Sequence, residues 1–203
     1  MNLAQLYTIP IWESPFPDFD IQKELFLQAT RSFREKNPEG LNRYNTNAYQ
    51  SPINMTHVSE LSPIYDFAAQ IGIKAALDLQ LVNCDTFITA AWVNYHDTQN
   101  GMQVEHTHQD TFSGVIYLKA PKKSGHLVIN NPALNSLWQG TMLVSKKNKF
   151  TADRIRIAPQ EGNMLIWPSY LPHSVETNNH DEERISIGFN ILCVPKEHVD
   201  HTK

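Results

Sequence analysis

Apolar positions recur at helical spacing in the first part of the chain and in short alternating runs in the rest. Ile21, Leu25, Phe26, Ala29 and Phe33 share one face of a helix, since residues three and four apart stack on the same side. Asp20 is placed to cap its start, and Asn37-Pro38-Glu39-Gly40 ends it. A second helix opens with Ser62 as N-cap and Pro63 in the first turn, where a missing N–H is no loss. It carries Ile64, Phe67, Ala68, Ile71 and Ala75 on one face. The start of the chain, punctuated by Pro10, Pro15 and Pro17, reads as extended. From Asp85 onward the pattern predicts strands over 86–95, 113–118, 126–129, 154–157, 163–167 and 184–190. Turn signals separate them at Asn100-Gly101, at Ser124-Gly125, over 159–162 and over 178–183.

Helices first and many short strands afterwards predict a mainly β barrel or sandwich with helices packed outside, a set that includes jelly rolls. The length of 203 residues suits a single domain over 1–203, with a helical and extended part at 1–84 and a β core at 85–195. A net charge of −4 argues against nucleic acid as partner, because neutralising phosphates needs a cationic face. The short basic cluster of Lys146, Lys147 and Lys149 reads as a solvated loop or edge-strand device. Cys84 and Cys193 form no CxxC and fit buried thiols in a reducing compartment. The first seven residues lack the features of a signal peptide, and no apolar run approaches the ~20 residues of a membrane span. The expectation is a cytoplasmic protein with no membrane partner.

The chemistry concentrates at Glu105-His106-Thr107-His108-Gln109-Asp110. In an extended strand His106, His108 and Asp110 point the same way. The bland reading is a polar strand end with incidental histidines. His173 lies four strand-like runs later, and a jelly roll brings such segments together. Two imidazoles and a carboxylate on one face of an octahedral metal leave three positions open, the arrangement of non-haem Fe(II). Arg184 follows across a turn, where a guanidinium can grip a carboxylate in a two-pronged pair, and Ser186 shares its strand face. Trp92 and Asn94 alternate on one strand face and are pocket or core residues. Tyr117 either reaches a cosubstrate or fills the barrel. His126 reads as structural, His57, His180, His198 and His201 as solvated, and His96 as lying on the wrong turn. There is no GxSxG elbow, HExxH helix or glycine-rich phosphate loop, which disfavours the common hydrolase and nucleotide chemistries.

The ordered set of His106-Thr107-His108, the run 113–118, the turn 159–162, Trp167-Pro168-Ser169 through His173, and Arg184-Ile185-Ser186 to Asn190 resembles the Fe(II)/2-oxoglutarate oxygenases common in phage and marine bacteria. The resemblance implies a double-stranded β-helix and a dioxygenase using Fe(II), 2-oxoglutarate and O2, with hydroxylation as the default outcome. It implies that the keto-acid end of 2-oxoglutarate chelates the iron while Arg184, with Tyr117, holds the distal carboxylate; Ser186 and Asn94, by their strand faces, are further cosubstrate candidates. The wider superfamily pattern matches His108, Asp110 and His173; the nearer family matches His106 and His108 with His173. The short connection after Asp110 favours the second set and charge compensation the first, so three of His106, His108, Asp110 and His173 are expected on the metal. Two other classes stay open: a cupin-type metalloprotein (an isomerase, or a dioxygenase independent of 2-oxoglutarate) and a metal-free jelly-roll binding module. Arg184 and Ser186 discriminate, since a cupin has no use for them. The expected substrate is a small molecule or a protein side chain, and the two helices are candidates to cover the sheet or to form a homodimer face.

Overall fold

The computed structural model describes residues 8–41, 43–52, 54–96, 100–132 and 152–196. The extended start becomes β1 (Trp12–Pro15), followed by α1 (Phe19–Lys36) and the short strands β2 (Asn45–Thr46) and β3 (Tyr49–Gln50). After α2 (Ser62–Asp78) come β4 (Cys84–His96), β5 (Met102–His106), β6 (Phe112–Lys119) and β7 (Leu127–Asn130). The remaining strands are β8 (Arg154–Ile157), β9 (Asn163–Pro168), β10 (His173–Val175) and β11 (Arg184–Pro195). Two antiparallel sheets result, one ordered β1-β9-β6-β11-β4-β3 and the other β2-β5-β10-β7-β8. Apart from the β7–β8 pair, successive strands from β4 to β11 alternate between the sheets, which is the expected jelly roll. Lys146, Lys147, Lys149, His198 and His201 lie outside the described residues.

Strand alternation sorts the large sheet into two faces. Ala91, Val93 and Tyr95 of β4, Ile116 and Leu118 of β6, and Ile185, Ile187, Phe189 and Ile191 of β11 join the two helices in one buried cluster. Their alternates include Trp92, Asn94, Tyr117, Arg184, Ser186 and Asn190, which line a cavity on the other face. A period-2 strand thus commits one set of side chains to the helices and the other to the site. Burying such an apolar set against helices supplies the main driving force for folding, at roughly 25 cal/mol per Å².

The second helix keeps its expected face, and the first keeps Phe26, Ala29 and Phe33 against the core but turns Ile21 and Leu25 away from it. On α1 the buried residues are Phe19, Phe26, Leu27 and Thr30, whereas Ile21 is 81% exposed and Leu25 47%. The buried stripe is fixed from the sheet below: the Tyr95 hydroxyl of β4 donates to Thr30 Oγ1 at 2.9 Å, and Thr30 donates to the Leu27 carbonyl. A buried phenol requires a partner, so a polar residue takes a place in the apolar face. The residue before the first turn of α1 is Asp18 rather than Asp20, in a left-handed conformation with no side-chain cap. Leu61 takes the cap position of α2, and Ser62 opens the helix itself. Phe67 and Ile71 pack at the edge of the cluster while Ile64, Ala68 and Ala75 are buried. The two thiols also sit at that edge: Cys84 and Cys193 are free and half-buried rather than fully buried. The turn over 159–162 closes at Gly162, whose φ of +75° favours glycine and where a Cβ would meet the Phe19 ring at 2.7 Å. No helix among the described residues is long and apolar enough to cross a membrane.

Candidate metal centre and cosubstrate pocket

The regular strand expected to run through Asp110 stops short, because β5 ends at His106. Thr107 and His108 continue in irregular backbone, and the chain bends at Gln109 and Asp110. His108 therefore follows the strand rather than lying on it. The loop is pinned where the His108 N–H donates to the Ser169 carbonyl at 3.0 Å. The bend turns Asp110 toward β4, and its Oδ1 accepts from the Thr89 hydroxyl at 2.9 Å. His173 pairs directly with His106 across β10 and β5.

These placements gather His106, His108 and His173, whose nearest ring nitrogens all lie within 4.8 Å of one another. Asp110 is outside the group, so of the two trios left open by the sequence the geometry gathers His106, His108 and His173. The His106 Nδ1–H donates to the Val104 carbonyl at 2.8 Å, and the His173 Nδ1–H donates to the Leu171 carbonyl at 2.9 Å. A carbonyl can only accept, so both rings are held as the tautomer with a free Nε2 lone pair, the usual orientation of a metal-binding imidazole. Burial, reinforced by the neighbouring imidazoles, pushes His108 down to about 4 and His173 to about 3, and burial lowers His106 as well. All three are neutral at pH 7. Aromatic rings wall the group in: by ring centroids, Tyr44 stacks on His106 at 4.6 Å, Trp92 lies 5.4 Å from His108, and Trp167 meets His173 edge-on at 5.0 Å.

Arg184 is 1% exposed. Its Nη1 donates to His96 Nδ1 at 2.9 Å, its Cζ sits 5.1 Å from the Tyr117 ring centroid, and its Nε has no partner. The Tyr117 hydroxyl and His96 Nε2 are likewise buried without partners. No carboxylate among the described residues pairs with this guanidinium. A buried cation left without a counter-charge is costly, and an anionic ligand here would offset that cost. Ser186 faces Asn94 across β4 and Tyr117 across β6, so the residues expected around the cosubstrate occupy adjacent register positions on three strands. Asn94 accepts from Gln103 at 2.9 Å, which fixes its amide. Together these groups line a cavity of about 530 Å³ that also holds the three histidines.

His96, expected on the wrong turn, instead contacts Arg184 at the site. Its neighbours Trp92 and Asn94 carried the signal, because a third alternate position on the same strand shares their face. Burial and the adjacent Arg184 charge push its pKa down to about 3, so it accepts from the guanidinium as a neutral ring. His126 lies just before β7 and pairs with Glu176 away from the cavity, consistent with a structural role.

Residues 90–190, from β4 into β11, match the family model described as "Putative 2OG-Fe(II) oxygenase". The chain belongs to this family. The family's cofactor set is Fe(II), 2-oxoglutarate and O2, and the oxygenase brings a matching donor set together. No curated protein matches its sequence. Among solved structures, a prolyl-4-hydroxylase from Pseudomonas putida superposes with a TM-score of 0.61 at 15% identity, covering 91% of this chain and 94% of the other. The alpha-ketoglutarate-dependent epimerase SnoN of nogalamycin biosynthesis gives 0.65 at 11% identity, covering 91% and 76%. HygX from Streptomyces hygroscopicus, solved with nickel, 2-oxoglutarate and hygromycin B, gives 0.60 at 13%, covering 93% and 84%. At these identities the likeness concerns the fold.

Proposed function

We propose that the oxygenase is a hydroxylase in which His106, His108 and His173 hold Fe(II), and Arg184 with Tyr117 and Ser186 holds the distal carboxylate of 2-oxoglutarate. The observation that carries this reading is the pairing of two features in one cavity: three neutral imidazoles within 4.8 Å, and a buried guanidinium with no acidic partner among the described residues. When bound, Fe(II) would activate O2, the oxidant: 2-oxoglutarate would be oxidised to succinate and carbon dioxide, taking one oxygen atom, and the substrate C–H would take the other as a hydroxyl. The protein's part is positioning. The Val104 and Leu171 carbonyls hold two rings in the ligating tautomer. Arg184 and the Tyr117 hydroxyl offer unused donors to a carboxylate, while Asn94 stays fixed by Gln103. Trp92, Trp167 and Tyr44 shield the histidines from bulk water.

Three neutral ligands leave both charges of the metal uncompensated by protein. Of the two cosubstrate charges, the keto-acid end would bring one to the metal, while the distal carboxylate would pair with Arg184. A cupin-type site would share the imidazoles but gives no account of the buried Arg184 charge. The test is succinate formation from 2-oxoglutarate by iron-loaded protein. Turnover is expected with the wild type and loss of it with His173→Ala; equal rates in the two would overturn the assignment.

A further inference from the structure

The cavity is chemically one-sided. The chain carries 21 acidic residues against 17 basic ones, yet among the described residues no Asp or Glu lines the cavity. The two formal cations in its lining are Arg184, wholly buried, and Arg43, exposed on the loop before β2. Among the described residues the Arg43 guanidinium has no acidic partner. Its backbone is nonetheless fixed: the Arg43 N–H donates to Asn45 Oδ1 at 3.1 Å, and the Tyr44 carbonyl accepts from the Val104 N–H at 2.7 Å. The loop therefore presents a cation beside Tyr44, whose ring stacks on His106. The volume of about 530 Å³ is in the range that holds a drug-sized ligand, more than a five-carbon dicarboxylate fills.

We propose that the substrate is a small anion with a flat or apolar body, its carboxylate or phosphate held by Arg43 and its body lying against Tyr44 and Trp92. This rests on the hydroxylase reading above, in which Arg184 is already committed to 2-oxoglutarate. A cationic substrate would find no acid to meet it in this cavity, while an anion would find the Arg43 guanidinium.

Three probes of one shape test it: 4-phenylbutyrate, 4-phenylbutanamide and 4-phenylbutylamine, titrated by ligand-observed NMR into Zn(II)- and 2-oxoglutarate-loaded protein. The carboxylate is expected to bind about tenfold more tightly than the amide, as one exposed charge-assisted hydrogen bond allows, with the amine weaker still. Arg43→Gln is expected to reduce the carboxylate to the level of the amide, and Arg43→Lys to keep part of the preference. Equal binding of the three, preference for the amine, absence of binding by all three, or a preference that survives Arg43→Gln would overturn the proposal. Anaerobic Fe(II) and 2-oxoglutarate absorption, recorded on the same preparations, reports on the hydroxylase reading separately: its absence in the wild type would sink that reading, whereas its presence with no probe preference sinks only the substrate class.

Discussion

Replacing Arg184 by methionine tests the proposed cosubstrate role, in which the buried guanidinium would serve a ligand at the expense of the fold. In the free protein its partners are a neutral imidazole and a phenol ring, so its charge is uncompensated. Removing a buried charge of this kind relieves several kcal/mol. The same change orphans His96 Nδ1, which costs about 1–3 kcal/mol. The two nearly offset, and Arg184→Met without ligand is expected to melt within a few degrees of wild type or above it. The ligand response behaves differently. At a hundredfold excess over its Kd, 2-oxoglutarate stabilises the wild type by about 2.7 kcal/mol, a rise in Tm of roughly 5–11 °C. Losing a buried charge-assisted pair costs about 2–5 kcal/mol, or at least roughly 30-fold in affinity, and leaves less than about 1 kcal/mol of that response. Thermal melts of Mn(II)-loaded protein with and without 2-oxoglutarate measure both. A fall of more than about 10 °C in the ligand-free melt would show that Arg184 is a structural group, and an undiminished ligand shift would show that it does not hold the cosubstrate.

The buried imidazoles make the metal-free fold sensitive to acid. His96 and His173 are both held near 3, far below the ordinary histidine value, so below about pH 6.5 the unfolded chain takes up protons that the folded one refuses. At pH 5.5 each costs about 1.4 kcal/mol, and the pair lowers Tm by roughly 6–11 °C relative to pH 7.5; a Tm that stays flat over that interval contradicts the burial argument. At Gly188 a Cβ would lie 2.7 Å from the Trp92 indole, so Gly188→Ala must displace that ring from beside His108. A loss of about 1–3 kcal/mol with altered tryptophan fluorescence is expected, and neither change would mean that the contact is slack.

Strand alternation made much of the site legible in the sequence. Tyr117, Asn94, Ser186 and Arg184 share the cavity face because each sits at the right parity of a regular strand, and local pattern determines parity. His96 obeys the same rule, one position beyond the end of the predicted strand. What the pattern could not show is where a strand stops being regular. The bend at Gln109 and Asp110 depends on the His108 N–H meeting Ser169, a residue far away in the chain. That contact decides whether Asp110 joins the histidines or turns to Thr89. The exposure of Ile21 and Leu25 on α1 is similar, since the helix meets the sheet through Phe26, Leu27 and Thr30, the last bonded to Tyr95. Arg43 and Tyr44 carried no signal at all, because their loop is brought to the site by long-range contacts, the β2–β5 pairing and the Val104 N–H bond to the Tyr44 carbonyl.

Whether three imidazoles, without Asp110, hold the iron beside Arg184 can be decided by anaerobic titration of Fe(II) into protein with 2-oxoglutarate. Visible charge-transfer absorption is followed in the wild type and in His106→Ala, His108→Ala, His173→Ala and Asp110→Asn. A one-to-one endpoint is expected for the wild type and Asp110→Asn, and no comparable absorption for the three histidine variants. Loss of the band in Asp110→Asn, or its full retention in any of the histidine variants, would contradict the assignment of the metal to these three rings.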